Sequence, residues 1–401
     1  MTIYHHACLL ADSGYEVHVI AGRGESFHPQ VAFHLLPEVD SRHLEVLKVK
    51  EELDRGKLSD RFVRLQEHIV DLLYAHIAST DVLIAHNVFT LHKNLPLTAA
   101  LHHVLASGTL GGLRTLAWHH DLAWKEPHYA REVHPGYPWD LLRQAWPGVI
   151  HVTVSEARRS QLAALYGLAP EAVHVVPPGV DPAAFFRWTS TTQRLVKAYH
   201  LLDADLVLLL PARITRRKNI QLAVQVLAAL RQQTGRDVRL LVSGPPGPHN
   251  PSNLAYLNGL LEMRRALGLE EAAHFVYELQ DGGHSMVPDD ATMSDLYSLA
   301  DALIFPSLEE GFGIPMLEAG LVRMPVFCSD IPPLQGTGGS DVYYFSPTAD
   351  DPADIAAAMG QRLLADPAFR LRRRVMQDYS WAGILRAHLQ PLVEGREESG
   401  T

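Results

Sequence analysis

Two glutamates, Glu310 and Glu318, bracket the turn within the stretch Phe305-Pro-Ser-Leu-Glu-Glu-Gly-Phe-Gly-Ile-Pro-Met-Leu-Glu-Ala-Gly320, with seven residues between them. The apolar run Ala302 to Phe305 before the stretch reads as a buried parallel strand. It breaks into a polar loop carrying Gly311 and Gly313, and Pro315 is placed to open a helix. Strand, glycine loop and helix start is the build of an anion site. The first turn offers free N–H groups and a partial positive charge, and glycine lets a ligand approach the backbone. A pair of carboxylates beside such a site is unfavourable unless they accept hydrogen bonds from hydroxyls. The combination therefore suits a ligand carrying both phosphate and sugar, a sugar nucleotide.

The string Glu310-Gly-Phe-Gly-Ile-Pro-Met-Leu-Glu318 resembles the E-x7-E signature of the retaining family 4 glycosyltransferases, which have the GT-B fold. The flanks agree: Asp295-Leu-Tyr-Ser-Leu-Ala-Asp301 through Ser307 before it, and Pro325-Val-Phe-Cys-Ser-Asp330-Ile-Pro332 after it. The resemblance implies that Glu310 contacts the hydroxyls of the donor sugar and Glu318 the ribose. The amides around Gly311, Phe312 and Gly313 would face sugar or phosphate, with the Phe312 ring itself packing. Arg213 and Lys218, in Arg213-Ile-Thr-Arg-Arg-Lys218-Asn219, match the family's R-x4-K pattern, in which both cations hold the donor diphosphate. The chemistry requires such groups. Breaking the bond from the sugar C1 to phosphate develops diphosphate charge, and fixed cations stabilise it without reorganisation. Arg216 and Arg217 carry no family role and read as surface residues. The base-binding wall is expected near Val276 and Tyr277.

His120, in His120-Asp121-Leu122, aligns with a histidine that touches the donor sugar in related enzymes. His119 competes with it, because a one-residue slip exchanges which side chain faces the ligand. His86, Asn87, His119 and Asp121 are the acceptor candidates. No metal and no cofactor is expected, the nucleoside diphosphate sugar being a co-substrate. Asp203-Ala-Asp205 has the D-x-D form used for metals in another glycosyltransferase fold, but it precedes its strand and reads as a solvated turn. Asp350, Asp351 and Asp354 read as an acidic helix cap.

The bulk numbers bound the rest. A chain of 401 residues favours two or three domains, and 47% hydrophobic with 20% charged residues describes an ordinary globular composition. A net charge of −10 without a basic cluster argues against nucleic acid as a partner. Two distant cysteines form neither a disulfide framework nor a metal pattern, which fits a reducing cytoplasm. No apolar run approaches the roughly 20 residues of a membrane span, and the first residues lack the pattern of a signal peptide. The 23 histidines are scattered, and pairs such as His5-His6 read as surface or hydrogen-bonded residues.

Strands and helices alternate through both halves, which predicts two doubly wound Rossmann-like α/β domains facing across a cleft. The expected boundaries are 1–185 for an acceptor-side domain, 186–378 for the nucleotide-sugar domain, and 379–395 for a helix crossing back to the first. Pro177 to about Thr192 reads as the linker, and Glu394 to Thr401 as a frayed polar tail. The first strand and glycine-rich loop of the family pattern have no counterpart here: Leu9 to Gly22 reads as a helix end followed by a strand. Pro178 also stands where the family has asparagine. The expected function is hexosyl transfer from a nucleoside diphosphate sugar to a sugar or glycoside. The rival is a sugar-nucleotide-binding protein or partner subunit without turnover. A phosphorylase or epimerase of the same fold is a weaker third reading.

Overall fold

The computed structural model describes residues 2–248 and 250–396; the end of the expected polar tail lies outside them. The chain divides into two compact units, Met1–Gly179 with Trp381–Thr401, and Val180–Ser380. The exchange between them falls at 179/180, ahead of the expected 185/186, because the Pro-rich stretch is not a bare linker. It holds a short helix, Pro182–Phe186, capped by Asp181, and the start of a second at Ser190.

The first unit runs α1 (Thr2–Asp12), β1 (Val17–Ala21), β2 (Val31–Leu35), α2 (Leu44–Leu53), α3 (Asp60–Ile77), β3 (Val82–His86), α4 (Leu95–Ala106), β4 (Arg114–His119), β5 (Val149–Thr153), α5 (Glu156–Tyr166) and β6 (Val173–Val175). Helices α2 and α3 are parted around Gly56, whose φ of 73° breaks the helical run. Between β4 and β5, Trp139–Arg143 forms a 3₁₀ segment. Serine and asparagine caps start α3, α4 and α5, where Ser59, Asn94 and Ser155 accept from the N–H three residues on.

All pairings in this unit are parallel, but they make two sheets, β3-β4-β5-β6 and β1-β2. Helix α1 lies over both: Leu10 packs with Leu116, Trp118 and Val152, and Ala7 and Ala11 pack with Val19 and Val31. The segment Trp381–Glu394 joins the first of these clusters through Trp381, Ile384, Leu389 and Leu392. It is not one regular helix, since Leu385–Leu389 is wound as a π-turn.

The second unit runs α6 (Pro182–Phe186), α7 (Ser190–Ala198), β7 (Leu206–Leu210), α8 (Ile220–Thr234), β8 (Val238–Val242), α9 (Ser252–Ala266), β9 (Ala273–Phe275), the two-residue strands β10 (Gln280–Asp281) and β11 (His284–Ser285), α10 (Asp290–Leu299), β12 (Ala302–Phe305), α11 (Ile314–Leu321), β13 (Val326–Ser329), α12 (Pro332–Gly338), β14 (Tyr343–Phe345), α13 (Pro352–Ala365) and α14 (Pro367–Asp378). Strands β10 and β11 pair as an antiparallel hairpin, and Pro332 and Pro333 form the first turn of α12. Six strands form one parallel sheet in the order β14-β13-β12-β7-β8-β9. It is buried on both faces, so its strands are near-continuous apolar runs, and every residue of Leu206–Leu210 is buried. The order reverses between β7 and β12, the topological switch point at which ligands of such sheets collect.

Most histidines of the first unit lie at or near its surface, but His6, His92, His119 and His151 are buried. His119 is fully enclosed, with Nδ1 3.0 Å from Thr90 Oγ1 and Nε2 3.1 Å from His151 Nδ1. His6 is 3% exposed, and neither ring nitrogen has a hydrogen-bond partner among the described residues. Burial lowers His6 and His151 to about 4 and holds His86 and His119 well below the ordinary 6.5. These groups fold as neutral rings, so their contribution is complete above pH 6.5 and is lost as pH falls from about 6.5 towards about 4. Chemical denaturation at pH 7.5 and pH 5 should therefore show a large loss at pH 5. His6→Leu, which buries no unpartnered nitrogen, should make that loss smaller; an unchanged pH dependence would remove His6 from this account.

Candidate functional site

Strands β7 and β12 lie side by side, with Leu208 opposite Ala302 and Leu209 opposite Leu303. The loops leaving their carboxyl ends, 211–219 and 306–313, are therefore neighbours. The backbone ties them, Leu308 N–H donating to the Arg217 carbonyl at 2.8 Å. Across this junction Lys218 Nζ donates to Glu310 Oε1, and both side chains are nearly buried, at 11% and 9% exposed. Arg217 reaches the same loop, 3.3 Å from the Glu309 carbonyl and 3.8 Å from Glu310 Oε2. It is a surface residue, as expected, but one that lies beside Glu310. Arg213 is exposed at the start of its loop. The structure brings together Lys218, Glu310 and the glycine turn as the sequence pattern implies, with Arg217 beside them.

Each loop has a backbone reason for its shape. Asn219 takes a left-handed φ of 49°, is buried, and donates through Nδ2 to the Pro347 carbonyl at 3.2 Å. It turns the chain from the 3₁₀ segment Arg216–Lys218 into α8. The loop after β8 props this turn: Ile214 N–H donates to the Pro245 carbonyl at 2.9 Å, and a Cβ on Gly244 would lie 2.4 Å from the Ala212 carbonyl oxygen. On the other side Gly313 has φ 97° and caps α11, and Pro315 falls in the first turn as expected. Helix α12 fastens the loop, Thr337 Oγ1 donating to the Phe312 carbonyl at 2.5 Å. Sequence reasoning missed Gly244 and Thr337; their signals are an isolated glycine and a threonine with no spacing relation to the motif.

Glu318 projects from α11 and accepts from Tyr297 Oη on α10, 2.5 Å from its Oε2. Two expectations change. Phe312 does not pack: its ring is 55% exposed, because the positive-φ turn at Gly313 lifts it off the unit. Val276 does not offer a side chain to a base, since it is fully buried in a core cluster that includes Leu209 and Leu241. It also lies in a 3₁₀ turn past the end of β9 rather than on the strand. Tyr277 remains partly exposed.

In the first unit, His86-Asn87 and His119-His120-Asp121 end the adjacent strands β3 and β4. Asn87 is held at φ 57°, and its Oδ1 accepts from the N–H groups of His120 and Asp121 at 2.8 and 3.2 Å. Its Nδ2 donates to Asp121 Oδ2 at 3.2 Å, so this asparagine is a clamp on the β4 end. His119 points into the core and drops out as an acceptor contact, while His120 stays half-exposed. His120 Nε2 lies 3.4 Å from His86 Nδ1, and burial lowers its pKa. A cavity of about 310 Å³ opens beside these residues, lined by Gly22, Arg23, Asp40, His86, Asn87 and Lys93 among others.

Among the described residues no group of three or more His, Cys, Asp or Glu has the arrangement of a metal site. Asp205 of the D-x-D string accepts from the Asp237 N–H at 2.9 Å, a structural turn contact. Asp351 caps α13 through the Ala353 N–H at 2.8 Å. Cys8 and Cys328 are free thiols. No described helix is long and apolar enough to cross a membrane.

Two doubly wound parallel units, one with cations and a carboxylate at its switch point, define the GT-B class of glycosyltransferase. The profile described as "Glycosyltransferase Family 4" matches residues 1–184 and that described as "Glycosyl transferases group 1" matches 193–378; the chain belongs to the family 4 glycosyltransferases. Curated relatives include mannosylglucosylglycerate synthase of Petrotoga mobilis, 25% identical over 70% of this chain and 66% of that one. A D-inositol 3-phosphate glycosyltransferase of Kineococcus radiotolerans is 31% identical over 60% and 55%. The chain thus spans between 55% and 66% of the length of these relatives. Among solved structures, a Rickettsia africae glycosyltransferase aligns over 99% of this chain and 94% of its own, with 15% identity and a TM-score of 0.37. Anabaena HepE with UDP-glucose aligns over 82% and 81%, with 16% identity and a TM-score of 0.36.

The turn at Gly313 is open to a direct test. A Cβ there would lie 2.6 Å from Leu334 Cδ2 in a conformation that L-residues rarely adopt. Gly313→Ala should destabilise the second unit by about 1–3 kcal/mol in urea unfolding, whereas Gly311→Ala, with open space around it, should be close to neutral.

Proposed function

We propose that this protein is a retaining glycosyltransferase that moves a hexosyl group from a nucleoside diphosphate sugar to a hydroxyl of a sugar or glycoside acceptor. The observation that carries the reading is the Lys218–Glu310 contact at the switch point, between the loop that carries Arg213 and the loop that leads into α11. A cation, a carboxylate and free helix N–H groups at one point suit a ligand that is a polyol and a diphosphate at once. Lys218 and Arg213 would hold the diphosphate and take up the charge that develops as the bond from C1 to phosphate breaks. Glu310 would accept from hydroxyls of the donor hexose, and Glu318 from the ribose. Transfer with retention fits a front-face substitution, in which the departing phosphate oxygen takes the acceptor's proton while the acceptor oxygen bonds to C1. That route needs no enzymic nucleophile. His120, from the first unit, is assigned to the donor sugar by family resemblance, and His86 and Asp121 remain candidates for acceptor contact. The relatives' names, with glycerate and inositol 3-phosphate in them, make an anionic polyol the first acceptor class to try.

A second reading is a sugar-nucleotide-binding protein without turnover. The two separate on one preparation. Thermal shift against UDP-, GDP-, ADP- and dTDP-glucose and -mannose selects a donor, and product analysis then looks for hydrolysis or transfer. Binding with turnover supports the transferase; binding with no turnover on any acceptor supports the second reading. In either case Lys218→Ala and Arg213→Ala should each weaken nucleoside diphosphate binding on the order of 10- to 100-fold, the weight of a charge-assisted hydrogen bond. The parent nucleoside should bind these variants and the unaltered protein alike. An equal loss for both ligands would remove the diphosphate assignment.

A further inference from the structure

The hydroxyl of Tyr297 is the described partner that holds Glu318 in place. Glu318 is exposed on α11, and a glutamate on an open helix face has three torsions to lose before it can present a fixed carboxylate. Here Oε2 is taken by Tyr297 Oη at 2.5 Å, which leaves Oε1 as the oxygen free to accept from a ligand. Tyr297 suits the task in three respects. Its ring is 4% exposed and packed among Leu296, Leu299, Met316 and Ala319, so the phenol cannot swing away. Burial and the neighbouring carboxylate push its pKa far up, so it stays a neutral donor throughout the usable pH range. Its helix is anchored as well. Asp289 caps α10 at the Thr292 N–H, and Asp295 accepts from Thr189 N–H and Thr192 Oγ1, both at 2.7 Å.

A rigid phenol on one oxygen of a flexible carboxylate fixes the direction of the other. Two vicinal hydroxyls need such a fixed acceptor, because a carboxylate that turns freely gains little by meeting the second one. We propose that Tyr297 is a positioning residue for the nucleotide ribose, orienting Glu318 so that the site prefers ribonucleotides over their 2′-deoxy counterparts. The inference rests on the assignment of Glu318 to the ribose. It extends that assignment by naming the group outside the motif on which the selectivity depends.

Isothermal titration with UDP, GDP and ADP, each beside its 2′-deoxy form, tests it on the full chain. For the diphosphate that binds best, the unaltered protein should prefer the ribo form by about tenfold. Tyr297→Phe removes one oxygen and keeps the packing. It should weaken the ribonucleotide about three- to tenfold, less than a direct charged contact because Tyr297 acts only by orienting Glu318, and leave the deoxynucleotide nearly unchanged. In a Glu318→Ala background the same change should have no effect on either ligand, since Tyr297 acts only through Glu318. Equal weakening of both ligands, or none, overturns the positioning role. Should the unaltered protein bind ribo and deoxy forms equally, or Glu318→Ala keep the preference, the assignment of Glu318 to ribose fails and this inference with it. That result differs from failure of the Tyr297 step alone, in which the preference is present, depends on Glu318 and survives Tyr297→Phe.

Discussion

The site in the second unit depends on the register of β12 against β7, and a buried aspartate fixes that register. Asp301 stands just before β12 with its carboxylate fully enclosed. Its N–H donates to the Val207 carbonyl and its Oδ2 accepts from the Val207 N–H, both at 2.8 Å. One residue thus grips both backbone groups of a single residue on the neighbouring strand. Burial raises the Asp301 pKa, and the guanidinium of Arg373, 3.2 Å from Oδ2, opposes that shift and keeps a charge partner in the interior. A slip of one residue would break both contacts and turn every side chain of β12 to the other face. It would also carry the loop 306–313 about 3.3 Å along the strand direction, too far for Lys218 and Glu310 to meet.

The other unit fixes its rim differently. Its strand ends are clamped by a side chain rather than by an ion pair, with Asn87 in a left-handed conformation accepting two N–H groups from the end of β4. Behind the clamp lie neutral imidazoles, His119 against Thr90 and His151, and His6 against the Trp118 ring at 4.6 Å between centroids. Neutral histidine is a compact polar aromatic that fills such space at neutral pH. The cost is charge: protonation would place cations beside one another in the interior, and the unit is built to avoid it.

What was legible in the sequence follows from what each feature needs. The parallel sheets could be read because their strands, buried on both faces, are plain apolar runs such as Leu206–Leu210. The switch-point loops could be read because glycine, proline and paired charges are local signals. The position of His120 relative to His119 was open, since strand alternation gives two faces without saying which is inside. The 0% exposure of His119 closes it. Contacts over long separations left no trace. Tyr297 and Glu318 are 21 residues apart on two helices, and Thr337 reaches back 25 residues to Phe312. Neither pair has a period or a motif, because their meeting is a product of helix packing. The Phe312 ring was misjudged for a related reason: an aromatic residue between two glycines reads as packing until the turn is seen to lift it away.

The charges at the site form a closed set, and this bears on how a donor could be held. Lys218 and Glu310 are each about one-tenth exposed and neutralise one another, so neither is an unpaired buried charge, which would be costly. A diphosphate bound there would take Lys218 as its partner and draw on the exposed Arg213 and Arg217. Glu310, released from the lysine, would then need new donors, and the hydroxyls of a sugar supply them. A phosphate without a sugar would satisfy the lysine and leave the glutamate unpartnered beside an anion. A sugar without a phosphate would offer nothing to the cations. On the proposed reading the pair would therefore favour ligands that carry both groups, by the cost of leaving one of two nearly buried charges unmatched.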